Sequence, residues 1–132
     1  MITIDYKDRR PLYQQIMDKI EEAAVRGLIK PDEQLPSVRS LAADLAINPN
    51  TIQRAYAELE KKGITYSVPG KGSFLAKSQN SILQERTSEI KTSLGDLVKE
   101  SKQLGITQDF IQGMVEEIWQ SSPVTYKGGM KK

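Results

Sequence analysis

INPNTIQRAY, residues 47–56, sets a proline inside a stretch that otherwise alternates like an amphipathic helix. In a helix interior proline removes a hydrogen bond and clashes with the preceding turn. At the first helical position its missing N–H would be unpaired anyway. Asn48, just before it, is a strong N-cap type. Ile47 before the cap and Ile52 within the first turns form a hydrophobic staple. The proline therefore starts a helix and does not break one. At about 100° per residue, Ile52, Ala55, Tyr56 and Leu59 share one side, while Asn50, Gln53, Arg54 and Ala57 share the other. Tyr56, lying with the apolar set, reads as core.

Upstream, LPS at 35–37 opens another helix, with Ser37 as N-cap and Val38, Leu41, Ala42 and Leu45 as its apolar stripe. The two helices meet across residues 46–48, a tight helix-turn-helix. A first helix is expected to begin near Pro11, which suits a first turn, with Leu12, Ile16, Ile20 and Ala23/Ala24 at helical spacing, closed by Gly27 and Pro31. After Gly63 the period changes. ITYSV, PGKG and SFLAK read as strand, four-residue turn and strand. Three helices followed by a hairpin is the winged-helix order, so the expected class is mainly α with a small β hairpin.

Beyond a polar junction at 78–81, Leu83, Ile90, Leu97 and Leu104 recur every seven residues, with Leu94 and Ser101 at the companion spacing. Gly105 breaks this long helix. Thr107 can cap a last one, in which Phe110, Met114 and Ile118 align beside Ile111, Val115 and Trp119. The expected organisation is a winged helix-turn-helix DNA-binding domain over 1–77, a two-helix dimerisation segment over 78–121 and a flexible tail over 122–132. Two helices cannot bury both of their stripes alone. Leu83, Ile90, Leu94, Leu97, Leu104, Phe110, Met114, Ile118 and Trp119 are therefore expected at a homodimer interface. The alternative is an effector pocket between these helices, which so short a segment could enclose only with a second subunit.

Composition narrows the chemistry. The 132 residues include no cysteine and no histidine. Disulfides, thiolate nucleophiles, imidazole bases and nearly every zinc or haem site are thereby removed. No pair of residues reads as nucleophile and base, so an enzyme is not expected, and neither is a cofactor or a metal. No apolar run approaches a membrane span, and the N-terminus lacks an apolar signal core, so a cytoplasmic protein is expected. GKGS at 70–73 is not a Walker loop, because glycine separates lysine from serine and a strand follows. Net charge is only +2. The excess is local: residues 39–77 carry Arg39, Arg54, Lys61, Lys62, Lys71 and Lys77 against Asp44, Glu58 and Glu60.

A polar helix face is by itself only a solvated surface. Here its first turns carry Asn50, Thr51, Gln53 and Arg54, types that read base edges or hold phosphates. A recognition helix reads with those turns, and the hairpin that follows carries a lysine and free backbone N–H groups at its tip. Double-stranded DNA is the expected partner.

The stretch 35–77, LPSVRSLAADLAINPNTIQRAYAELEKKGITYSVPGKGSFLAK, together with PLYQQIMDKI before it, resembles the winged-helix domain of the GntR family of transcription regulators. NPNT followed by RAY looks most like its short YtrA-type subfamily, whose members end in two helices. The resemblance implies DNA contacts at Ser37 and Arg39, at Asn50, Thr51, Gln53 and Arg54, and at the wing residues Pro69, Gly70 and Lys71. The twofold symmetry of the expected dimer predicts an inverted-repeat operator, and the resemblance further implies a repressor with DNA affinity controlled by an effector or envelope signal of unknown identity. Many relatives have Ser-Arg at positions 48–49 and arginine at 53, so their preferred sequence does not transfer. Ala46 also stands where glycine is frequent. The competing expectation is a winged-helix docking module for another protein, which would give no gel shift and would be indifferent to Arg54→Ala.

Overall fold

The computed structural model describes residues 2–122; the expected tail lies outside them apart from Ser122. Along these residues run α1 (Leu12–Val25), α2 (Val38–Leu45), α3 (Pro49–Lys61), β1 (Thr65–Val68), β2 (Gly72–Leu75), α4 (Gln79–Gln103) and α5 (Gln108–Ser121). The chain divides into two compact units between Leu83 and Gln84.

In the first unit α3 is the central rod, packed on α1, α2 and β1. Ile16 and Ile20 of α1, Leu41 and Ala42 of α2, and Ile52, Ala55 and Leu59 of α3 meet Ile64 and Leu75 in one core. Burying an isoleucine or leucine fully contributes roughly 1.5–3 kcal/mol, so this apolar side fixes how α3 is rotated. Its other side, with Asn50, Gln53, Arg54 and Ala57, faces solvent.

The helix starts follow local chemistry. The Asn48 Oδ1 accepts the Asn50 N–H at 2.9 Å, and Pro49 is the first residue of α3. The Ser37 Oγ accepts the Ser40 N–H at 3.0 Å at the head of α2. Pro11 occupies the cap position, Leu12 opens α1, and no side chain caps it. Buried Gln15 ties the entry segment instead, accepting from the Asp5 N–H and donating to the Arg10 carbonyl. Between α2 and α3 the Ile47 N–H reaches the Ala42 carbonyl at 3.0 Å and the Ala46 N–H reaches Ala43 at 3.3 Å. That Schellman pattern requires a left-handed residue, and Ala46 supplies it at φ +54°.

The wing differs slightly from the expected four-residue turn. Thr65 pairs with Leu75, and Val68 with Gly72, leaving three residues at the tip. The Lys71 N–H bonds the Val68 carbonyl at 2.9 Å across Pro69 and Gly70, whose φ of +77° makes this a type II turn. A segment read as loop lies along the other edge of β2. The Asp32 N–H donates to the Leu75 carbonyl, the Leu75 N–H to Glu33, and the Leu35 N–H to Ser73, with an antiparallel bridge between Gln34 and Phe74. Asp-Glu-Gln has no strand-forming side chains, and backbone pairing holds it there together with side-chain bonds from Asp32 and Gln34 to the hairpin.

Helix α4 begins at Gln79, within the stretch expected to be a junction, and the Gln79 Nε2 donates to the Val25 carbonyl. Ile82, outside the expected heptad, is fully buried in the first unit's core, while Leu83 is half-buried. In the second unit the Thr107 Oγ1 caps α5 by accepting the Phe110 N–H at 3.1 Å. Ile90, Leu94, Leu97, Leu104, Phe110, Met114, Ile118 and Trp119 are exposed, from 39% at Met114 to 70% at Leu104. Among the described residues no helix is long and apolar enough to cross a membrane.

Candidate nucleic-acid interface

Three of the residues expected to read DNA line one cleft. Asn50, Thr51 and Arg54 from the first turns of α3 form one wall; Pro11, Leu12 and Tyr13 from the start of α1 form the other. The opening is about 400 Å³ and faces solvent. Asn50 and Arg54 are exposed and Thr51 is half-buried. The spacing i, i+4 puts Asn50 and Arg54 one above the other on the helix surface. Gln53, Ser37, Arg39 and the wing tip lie outside this cleft, all of them exposed.

Arg54 is not simply solvated. Its guanidinium carbon stands over the Tyr13 ring, 3.9 Å from the centroid. A cation over an aromatic face is held by the ring quadrupole, without a counter-charge. Apart from Lys77, whose Nζ donates to the Lys62 carbonyl, the basic residues of the middle of the chain fall into two groups by this criterion. Lys61 is paired with Glu58 at 3.2 Å, and Lys62 with buried Glu21 at 2.7 Å. Arg39, Arg54 and Lys71 form no ion pair with a described residue. Arg10, near the cleft, is neutralised in another way. Asp8 and Asp18 both bond it, raising its pKa above the ordinary value, and the Arg10 bond in turn lowers that of Asp8.

The wing tip is braced from behind. The Gln34 Nε2 donates to the Lys71 carbonyl at 2.5 Å, which leaves the Lys71 side chain outward and exposed. A side chain at Gly72 would crowd that amide, since its Cβ would come within 3.1 Å of Nε2. On the hairpin face Tyr66 stacks on Phe74 at 5.5 Å between centroids, and the Tyr66 hydroxyl donates to Asp32 at 3.0 Å. That hydrogen bond to Asp32, more than burial, raises the Tyr66 pKa.

The Ser37 Oγ already caps α2, so only its hydroxyl proton remains to offer a phosphate. Tyr56 is buried, and its hydroxyl donates to the Pro36 carbonyl at 2.6 Å, locking the head of α2 onto α3. Burial pushes its pKa up to about 12. Tyr13 and Gln34 went unnoticed in the sequence. Tyr13 falls next to the apolar stripe of α1 with no local sign of a partner on α3, and nothing local to Gln34 signals a contact with the wing.

Comparison with known proteins places this geometry. Residues 12–75 match the gntR family of bacterial regulatory proteins. The HTH-type transcriptional repressor YtrA of Bacillus subtilis (strain 168) is 36% identical over 132 aligned positions, spanning 99% of this chain and 98% of the relative. A GntR family transcriptional regulator from Listeria monocytogenes superposes with a TM-score of 0.69 at 38% identity, covering 86% of this chain and 98% of that one. The AraR DNA-binding domain in complex with operator ORE1 superposes with a TM-score of 0.50 at 29% identity, covering 58% of this chain and 93% of that one.

Proposed function

Since the chain belongs to the GntR family of bacterial regulatory proteins, we propose that it represses transcription in the cytoplasm as a homodimer on an inverted-repeat operator. The family's work is regulatory DNA binding, not catalysis. The observation that carries the reading is the first-turn cleft of α3, where Asn50 and Arg54 stand exposed on a helix anchored by Ile52, Ala55 and Leu59. Arginine pairs with guanine and asparagine with adenine in the major groove. Lys71 at the wing tip, Arg39 and the Ser37 hydroxyl are placed on phosphates, fixing register without reading sequence.

Dimerisation is supported by the apolar surface of the second unit. Ile90, Leu94, Leu97 and Leu104 on α4, and Phe110, Met114, Ile118 and Trp119 on α5, are large apolar side chains left exposed, which marks an interaction surface. An opening of about 510 Å³ between the two helices, lined by Val98, Ile106 and Ile111 among others, would be closed by a second subunit. Two subunits related by a twofold axis carry two α3 helices, and so require two half-sites of opposite direction.

The test is selection of bound duplexes from genomic fragments by the full chain. An inverted repeat should emerge. Arg54→Ala should lose about 1–3 kcal/mol on it, five- to more than a hundredfold, with the oligomeric state unchanged. Enrichment of no sequence, with retained binding to a protein partner, would favour a docking module.

A further inference from the structure

Resting on the reading of α3 as the recognition helix, we propose that Tyr13 is a positioning residue for base readout: an aromatic shelf that holds Arg54 in the cleft beside Asn50 and Thr51. Three observations converge on it. The Arg54 guanidinium lies over the Tyr13 ring at 3.9 Å. The two residues line the same solvent-facing cleft as Asn50 and Thr51, so the ring sits where DNA would enter and not behind the helix. Tyr13 itself is partly buried against the core formed by α1 and α3, which makes it a rigid support.

The physical consequence is preorganisation. Arginine has the largest rotamer freedom of the side chains that read bases, and a bidentate contact with guanine must freeze it. A ring beneath the guanidinium removes part of that freedom before DNA arrives. It does so without using the hydrogen-bonding capacity, because a cation over a π-face is held by charge and its five N–H donors stay available. A carboxylate partner would do the opposite, occupying the donors and cancelling the charge, as Asp8 and Asp18 do to Arg10. The Tyr13 hydroxyl makes no hydrogen bond with any described residue. The ring alone is therefore required, and phenylalanine should serve as well.

Because the shelf acts through Arg54, its loss lowers discrimination more than general affinity. The experiment uses the full chain, a duplex selected by the wild type, and a scrambled duplex of equal length. Tyr13→Leu, which keeps the apolar packing but removes the π-face, should lower the ratio of selected to scrambled affinity about two- to fivefold. Its affinity for the scrambled duplex and its salt dependence should not change. Tyr13→Phe should keep the wild-type ratio. In an Arg54→Ala background Tyr13→Leu should have no further effect.

A structural readout accompanies the binding. The Arg54 side-chain Nε–H resonance, assigned by its loss in Arg54→Ala, should be shifted by the ring current in wild type and Tyr13→Phe and should relax to an ordinary position in Tyr13→Leu. Equal losses in the Phe and Leu variants would overturn the proposal in favour of a hydroxyl contact with phosphate. A Leu effect that persists without Arg54 would overturn it in favour of a packing role. An Arg54→Ala protein with unchanged selected-duplex affinity would instead sink the recognition-helix assignment, and the shelf with it.

Discussion

Ala46→Gly should make the protein more stable. Ala46 ends α2 at φ +54°, where an alanine Cβ crowds the backbone at a cost of about 1–2 kcal/mol. Glycine escapes that cost but brings more freedom to the unfolded chain, worth about 0.4–1 kcal/mol in the other direction. The residue is exposed, so removing the methyl sacrifices no packing, and the two Schellman hydrogen bonds are between backbone groups and survive. The net gain centres on about 0.8 kcal/mol, which at a urea dependence of about 1–3 kcal/mol per M moves the unfolding midpoint up by roughly 0.3–0.8 M. Urea melts should be run at one fixed protein concentration, because subunit association would also move the midpoint. The slope should stay unchanged. Operator affinity should stay within about twofold, since the turn geometry that sets α2 against α3 is already the one glycine prefers. An unchanged or lowered midpoint at constant slope would refute the reasoning, and would mean that Ala46 does not hold the left-handed conformation in solution.

Alkaline pH should expose the Tyr56 lock. Its folded pKa of about 12 is above the ordinary value of 10.0, so its contribution is complete below pH 10 and is lost as pH rises through 12. Tyr56→Phe should be about 0.5–1.5 kcal/mol less stable at pH 7, from the lost bond to the Pro36 carbonyl, and the gap should close between pH 10 and 12 in thermal melts. A gap that widens over that range would reject the assignment. Separately, a chain shortened to end at Leu83 keeps Ile82 in the core and should fold as a monomer, whereas an end at Lys77 would open the core. Leu97→Lys in the full chain should likewise shift sedimentation toward the monomer; a dimer in both cases would place the interface elsewhere.

The parts of the fold visible in the sequence are those decided within a few residues. Asn48-Pro49 starts α3 by cap chemistry, and Pro69-Gly70 turns the wing by backbone chemistry. Neither needs a distant partner. The rotation of α3 followed from its own apolar spacing, which is why Asn50, Gln53 and Arg54 were found on the open side. What stayed hidden depends on contacts between remote segments. The Tyr13 ring meets Arg54 across two helices, Gln34 reaches the wing across 37 positions, and Glu21 is buried against Lys62 across 41. Ile82 differs again: it lies outside the seven-residue repeat that starts at Leu83, and its burial depends on the first unit's core.

The overall charge of +2 gave little reason to expect a polyanion as partner. At physiological salt the screening length is about 8 Å, so what a phosphate meets is set by the cations within one or two residues of it, not by the net charge of the chain. Pairing removes Lys61, Lys62 and Arg10 from that local count, while Arg39, Arg54 and Lys71 keep their full charge. Those three lie on α2, α3 and the wing, elements of a single fold unit, and on the proposed reading all three would meet one duplex. Acids thus neutralise Arg10, Lys61 and Lys62, whereas Arg54 is steadied by an uncharged ring that leaves its charge available. On the proposal that α3 reads bases, that difference is what would let Arg54 meet a base edge while Arg10 stays neutralised.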